Sequence, residues 1–177
     1  MKWALLVAGI LVGIAAVIVI IGAILPKGHV VTRAARFRQT PATVWQAITD
    51  VDRFPSWRPG VTSVERLPDH DGHLTWLERG GHDAIPYELV ESAAPVGNST
   101  GRMVTRIADP KLPFGGTWTL DVIAADGGTM LRITERGEVY NPVFRFMSRF
   151  VFGQTKSMED YLNALGKKFG ETVSIQE

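Results

Sequence analysis

An uninterrupted apolar run near the amino terminus constrains this chain more than any other feature. Residues 3–25, WALLVAGILVGIAAVIVIIGAIL, contain no charged side chain. At about 1.5 Å of rise per residue, a helix of this length crosses the roughly 30 Å hydrocarbon core of a bilayer. A helix is the expected form there, because lipid cannot hydrogen-bond the backbone amides. We therefore expect residues 1–28 to form an N-terminal transmembrane anchor.

A cleaved signal peptide is the alternative interpretation of this run. The apolar region of a signal peptide is usually about 7–15 residues long and ends at a cleavage site of small residues. Here the run is longer, and Pro26, Lys27 and Gly28 follow it directly. These features favour an uncleaved, single-pass anchor that contacts the lipid bilayer through residues 3–25.

The charges around the run predict the side of the membrane. Lys27, Arg33, Arg36 and Arg38 all precede the first acidic residue, Asp50. Because cytoplasmic flanks carry an excess of Lys and Arg, this bias favours a cytoplasmic soluble domain.

A GxxxG pair, Gly9 and Gly13, lies inside the run. Such glycines let two helices approach closely and can mark a homodimer face. Glycine is also common in spanning helices without this role. A homodimer through these two glycines is one prediction, and ordinary helix composition is the alternative.

The remainder, residues 29–177, has the composition of a globular domain. The whole chain is 45% hydrophobic and 21% charged, with a formal net charge of +1. This balance gives no basic footprint for nucleic acid, so we expect no nucleic-acid partner. The chain has no cysteine, which excludes disulfides, thiolate metal sites and a cysteine nucleophile.

Strand-like runs separated by turn residues dominate the domain. Thr40 and Pro41 begin a short helix, and Pro55 interrupts the helical segment that follows. Asn141 and Pro142 begin a C-terminal helix whose apolar spacing continues to Phe169. Strands are predicted over 30–38, 61–67, 73–80, 84–91, 100–109, 115–126 and 129–140.

This order predicts an α+β domain with a helix-grip fold. A curved antiparallel sheet of about seven strands would wrap on the long C-terminal helix, preceded by one transmembrane helix. Residues 37–67, 117–139 and the closing helix resemble the SRPBCC or START-like superfamily, more closely its polyketide cyclase/dehydrase and lipid-transport type. The resemblance covers most of residues 30–170 and implies a deep apolar cavity between sheet and helix. It does not imply one activity, since such folds host carriers, sensors and cyclases.

Motifs for metals and cofactors are absent from the sequence. His29 follows the apolar run, and His70, His73 and His82 fall in or beside predicted turns. There is no HExxH, no phosphate-binding loop, no GxSxG and no GxGxxG that opens a helix. We expect neither a metal nor a cofactor.

Glu135 is the candidate catalytic residue. Period-two alternation along the 129–140 strand places it on the same face as Leu131 and Ile133. A carboxylate that points into an apolar interior is a candidate general acid or base. A structural ion pair with Arg145 or Arg149 is the alternative.

Large apolar side chains on inward positions are candidates for a ligand-binding cavity. Ligand pockets are mostly apolar with few polar groups. The alternative for these side chains is a packed core without a cavity. The candidate cavity residues are Trp57, Trp76, Tyr87, Trp118, Leu120, Ile133, Glu135, Phe146 and Phe150.

The functional expectation has three forms. The first is a membrane-anchored domain that binds a hydrophobic or lipid-like small molecule in its cavity. The second is a cyclase- or dehydratase-type enzyme that acts on an apolar substrate through Glu135. The third is a membrane scaffold or regulatory protein without a ligand.

Overall fold

The structure, a computed structural model, describes residues 2–81, 83–97 and 99–177. His82, which we interpreted as part of a turn, lies outside the described residues.

Helix α1 spans Lys2–Ile24. It is the one helix in the described ranges that is long and apolar enough to cross a membrane. Gly22 is its buried residue. A Cβ added at Gly9 or Gly13 would meet no atom within 4 Å, so the GxxxG face is open. The homodimer through that face stays a prediction.

Eight antiparallel strands form one sheet in the order β2-β3-β4-β5-β6-β7-β1-β8. Consecutive strands from β2 to β7 are neighbours, which confirms the predicted meander. A final strand of two residues adds to the seven predicted. The strands are β1 (Gly28–Phe37), β2 (Ser63–His70), β3 (His73–Gly80), β4 (Asp83–Ala93), β5 (Gly101–Ile107), β6 (Phe114–Ala125), β7 (Gly128–Val139) and β8 (Ile175–Gln176).

The helices of the domain begin at the predicted caps. The Thr40 hydroxyl accepts a hydrogen bond from the Thr43 amide at the start of α2 (Pro41–Thr49). The Asn141 side chain accepts from the amides of Val143 and Phe144 at the start of α3 (Pro142–Met147). A 3₁₀ helix (Val51–Ser56) follows α2, a π-helical turn (Ser148–Phe152) follows α3, and α4 spans Lys156–Lys168.

The C-terminal helical segment is divided near Gly153, where we expected one helix from Pro142 to Phe169. The π-helical turn holds one extra residue per hydrogen-bonded ring, which shifts the helical phase. Gly153 then adopts a φ of +78°, a conformation that a residue with a Cβ rarely adopts. As a result α4 alone continues along the sheet, and α3 lies beside the end of α1.

The core lies between α4 and the concave face of the sheet, and it confirms the helix-grip fold. Met158, Leu162 and Leu165 of α4 are fully buried, as are Leu131 and Ile133 of β7. They pack in one cluster with the apolar residues of α2 and the 3₁₀ helix, which are Val44, Ala47, Ile48, Val51 and Phe54.

Shortening a buried side chain of α4 tests this packing. We expect Leu162→Ala to lower the free energy of unfolding by about 2–5 kcal/mol, because it removes buried methyl groups and leaves a cavity. Asn163→Ala is the matched control, since Asn163 is the next residue of the same helix and is exposed. Urea unfolding of both variants measures the difference. Equal stability of the two would contradict the position of the core.

Candidate functional site

A cavity of about 320 Å³ opens at the end of the sheet that lies nearest α1. Its walls come from the starts of β1 and β6, the end of β7, residues of β4 and β5, α3, the π-helical turn and the start of α4. Its lining includes Tyr87, Ile107, Phe114, Trp118, Val139, Phe144 and Phe152 among larger side chains, together with His29, Thr105, Glu135, Ser148, Gln154 and Ser157. The volume lies at the lower end of the range of about 300–1,000 Å³ that is typical of small-molecule sites.

Glycines on neighbouring strands leave the floor of the cavity without side chains. Gly116 of β6 lies directly opposite Gly137 of β7, on the same face as the Trp118–Glu135 pair. Gly116 has a φ of +130°, and a Cβ there would lie 2.2 Å from the Arg136 carbonyl oxygen. Residues with a Cβ therefore fit poorly, and the backbone itself faces the cavity.

A histidine–carboxylate pair lies on this floor. His29 Nε2 lies 3.0 Å from Glu135 Oε1, and the Trp118 indole donates a hydrogen bond to Glu135 Oε2 over 2.6 Å. The side chains of His29 and Glu135 are 14% and 18% exposed. Both side chains are thus largely buried, and both line the cavity, where a ligand can reach them.

Gly137 makes room for the histidine. His29 of β1 pairs in register with Gly137 of β7. A Cβ at Gly137 would lie 2.3 Å from the His29 ring and 2.8 Å from Glu135 Oε1. The absence of a side chain at Gly137 therefore leaves room for the imidazole, beside the carboxylate two residues earlier on β7.

The pairing of Glu135 differs from the ion pair that we considered. Arg145 Nη1 donates to the Leu25 carbonyl oxygen over 2.8 Å, and its Nη2 lies 3.4 Å from the Tyr140 carbonyl oxygen. Arg149 Nη1 lies 3.4 Å from Gln154 Oε1. Both arginines are thus engaged elsewhere, and the partners of Glu135 are His29 and Trp118.

Tyr87 separates the cavity from a smaller inner compartment. Its ring stacks on Trp76 with centroids 5.7 Å apart. Burial, reinforced by the Glu78 carboxylate, raises the pKa of Tyr87 well above its usual value. The phenol keeps its proton, as tyrosine does at physiological pH, and because Tyr87 lines the cavity it can donate a hydrogen bond to a ligand.

The inner compartment is filled by a polar cluster and by aromatic rings, so only about 60 Å³ remains. Arg58 Nη1 donates to Glu78 Oε1 over 2.7 Å, and the Trp76 indole donates to the same oxygen over 3.0 Å. The Arg58 guanidinium also lies 4.6 Å from the centre of the Phe54 ring and 5.2 Å from that of Tyr161. The compartment is too small for a ligand of ordinary size.

Five of the predicted cavity residues line one or both spaces. Glu135 lines the outer cavity, Trp76 and Leu120 line the inner compartment, and Tyr87 and Trp118 line both.

The other predicted residues lie outside the two linings. Trp57 packs edge-on against Phe54 and Tyr161, with ring centres 5.6 and 5.2 Å away. Ile133 is buried in the core. Phe146 and Phe150 pack on each other with centroids 5.0 Å apart, and their neighbours Phe144 and Phe152 reach the cavity instead.

Two features of the site were not predicted from the sequence. His29 follows an apolar run, so its sequence context indicated a residue next to the membrane. The floor glycines were not assigned to either face of the sheet, although glycines within a strand often mark a close approach of backbone or ligand.

The described residues hold no group of three or more side chains that would suit a metal ion.

Comparison with known families gives one match over most of the chain. The model of the family described as "Polyketide cyclase / dehydrase and lipid transport" matches residues 28–170. A search of curated protein sequences finds no match.

Several solved structures share the fold at low sequence identity. The di-domain aromatase/cyclase StfQ from the steffimycin biosynthetic pathway has a TM-score of 0.59 and 12% identity, over 81% of this chain and 52% of that chain. The chain thus spans about half the length of StfQ. Norcoclaurine synthase from Thalictrum flavum has a TM-score of 0.59 and 11% identity, over 81% and 87% of the two chains. A START superfamily protein from Mycobacterium smegmatis has a TM-score of 0.54 and 16% identity, over 80% and 94%.

Replacement of Glu135 tests the pairing on the floor. A glutamine of the same shape keeps an acceptor for Trp118 and a donor for His29, so we expect Glu135→Gln to unfold at nearly the wild-type temperature. Leucine leaves both ring nitrogens without an acceptor, and we expect Glu135→Leu to cost about 1–3 kcal/mol. Glu65→Leu, at an exposed surface pair with Arg79, is the control and should change little. If Glu135→Leu left the free energy of unfolding unchanged, the pairing would be contradicted.

Proposed function

Because this chain belongs to the polyketide cyclase / dehydrase and lipid transport family, we propose that it binds a hydrophobic or lipid-like small molecule in the outer cavity. The cavity itself supports the proposal: it measures about 320 Å³, and large apolar side chains surround a glycine floor that carries the His29–Glu135 pair. Apolar ligand surface would be removed from water there, at about 25 cal/mol per Å².

The polar groups of the cavity suggest the chemistry of the ligand. His29 and Glu135 can bond one polar group of the ligand over the glycine floor, and the neutral Tyr87 phenol can donate to a second acceptor. An apolar body with a small number of oxygen functions would match this arrangement.

We also propose that α1 is retained as a single-pass anchor and that residues 29–177 form the ligand-binding domain on the cytoplasmic side. The support is the apolar length of α1 and the basic residues that follow it. The anchor would keep the cavity near a phase in which hydrophobic molecules accumulate.

A filled cavity tests binding. Ser157 of α4 lines the cavity, and we expect Ser157→Phe to weaken binding of the fluorescent fatty acid cis-parinaric acid at least about tenfold. The reason is steric, since the ring would occupy space that the ligand needs, and a tenfold loss corresponds to about 1.4 kcal/mol. Fluorescence titration of residues 26–177 in solution measures the affinity without detergent.

Asn163→Phe is the matched control for that titration. Ser157 and Asn163 are both exposed positions of the same helix, but Asn163 does not line the cavity, so binding should stay within about twofold of wild type, since surface changes are usually small. Equal binding by Ser157→Phe and the wild-type protein would place the ligand elsewhere and would contradict the proposal.

A second candidate function is a cyclase- or dehydratase-type reaction, favoured by the His29–Glu135 contact of 3.0 Å at the cavity floor. A histidine and a carboxylate in hydrogen-bond contact can pass a proton to or from a bound carbonyl or hydroxyl group. In this reading Glu135 acts as base or acid and orients the His29 ring, while Trp118 holds the carboxylate.

Glu135→Gln separates the enzyme from the binding protein. The substitution removes the proton-transfer group and keeps the shape, so an enzyme should lose turnover by about 100-fold or more. Host metabolite extracts incubated with wild-type or Glu135→Gln protein, compared by mass spectrometry, measure the difference. Products made equally by both variants would exclude Glu135 as the catalytic group, while binding without any product supports the first function.

A further inference from the structure

Outside α1, the exposed large apolar side chains of the described residues are concentrated on α3 and the π-helical turn. Phe150 and Phe152 are 59% and 61% exposed. A continuous apolar surface of this kind marks a contact with a protein or a membrane. The apolar patch, as we call it, consists of Val143, Phe144, Phe150, Val151 and Phe152.

The apolar patch is held at the carboxyl end of α1. A Cβ added at Gly22 would lie 1.9 Å from the Pro142 carbonyl oxygen, so α1 and α3 touch through their backbones. The bond from Arg145 to the Leu25 carbonyl oxygen, 2.8 Å long, satisfies one acceptor at the end of α1. The patch therefore begins at the level where a spanning helix would leave the hydrocarbon.

The patch is continuous with the mouth of the cavity. Phe144 and Phe152 belong to the patch and also line the cavity, together with Ser148 and Gly153. Any surface that covers the patch consequently lies against the cavity mouth.

The charges beside the patch favour an anionic surface as its partner. Lys27, Arg145 and Arg149 line a neighbouring cleft of about 170 Å³. Arg145 is buried against backbone carbonyls, whereas Lys27 and Arg149 are exposed. Residues 140–155 contain no acidic side chain. Exposed basic groups at this level would lie among anionic lipid headgroups.

We propose that the apolar patch enters the interface of the same bilayer that holds α1, so that the cavity mouth opens into the headgroup and acyl boundary. Apolar faces beside basic residues bind membranes in this way. The ligand class is then a molecule dissolved in the membrane, which would reach the cavity without crossing water. The part that concerns the ligand rests on the proposed ligand binding, whereas the membrane contact of the patch rests only on the proposed anchor.

The absence of cysteine makes the contact directly measurable. Single cysteines introduced as Phe150→Cys and Val151→Cys in the full chain can each carry one environment-sensitive nitrobenzoxadiazole label. The protein is reconstituted in vesicles of phosphatidylcholine and phosphatidylglycerol, with and without nitroxide-labelled lipid. We expect blue-shifted emission and at least about twofold quenching by the nitroxide lipid, since interfacial segments insert about 5–10 Å into the boundary.

Val96→Cys is the matched control. Val96 is an apolar residue that is 76% exposed, and it lies in the β4–β5 connection at the opposite end of the sheet. The twelve residues of β6 separate the two ends, roughly 40 Å at about 3.4 Å per residue. The control label should be unquenched. Equal quenching at positions 96, 150 and 151 would overturn the membrane contact and leave the patch for a protein partner.

A second measurement separates this inference from the proposed function. Within the described residues the cavity lining does not include Phe150 or Val151, so Phe150→Glu with Val151→Glu should leave equilibrium occupancy by cis-parinaric acid unchanged. Transfer of that fatty acid from vesicles should slow several-fold. An unchanged transfer rate would contradict the proposal that ligands enter through the patch, even if the fatty acid binds at equilibrium. Label quenching without any fatty-acid binding would support the membrane contact and contradict the proposed function.

Discussion

The bare backbone of β6 and β7 is the constraint on which the candidate site depends. Gly116 and Gly137 remove side chains from the concave face at the end nearest α1. The helical cover changes at the same level, because the chain turns at Gly153 before α4 begins. Farther along the sheet, α4 and the large side chains fill the same space to a packed core. The cavity thus forms where the sheet lacks side chains and the helical cover is interrupted.

The second requirement is a polar group that the apolar walls can hold. Glu135 is compatible with this site because Trp118 and His29 each offer it a contact, and an unpartnered carboxylate would be costly there. The His29 ring fits at this position because Gly137 has no side chain that would clash with it. One glycine therefore shapes the cavity and also positions the pair that gives the cavity its chemistry.

The sheet, the caps and the inward direction of Glu135 were predictable, because period-two alternation and turn residues are local signals. The cavity-lining residues of the C-terminal helical segment were not predictable in this way. Helical spacing from Val143 onward assigned Phe146 and Phe150 to the cavity, but the π-helical turn changes the phase and brings Phe152 there. The role of Arg145 also depends on a tertiary contact, since its partner lies at the end of α1, 120 residues earlier. No local pattern encodes that contact.

The central claim is that the outer cavity holds a hydrophobic molecule. Native mass spectrometry of the full chain, purified from membranes of its native host in a mild detergent, tests it most directly. We expect a discrete apolar adduct that stays on the wild-type protein and is lost from a variant with a filled cavity. A clean apo mass from folded wild-type protein, under conditions that preserve lipid adducts on other membrane proteins, would contradict it.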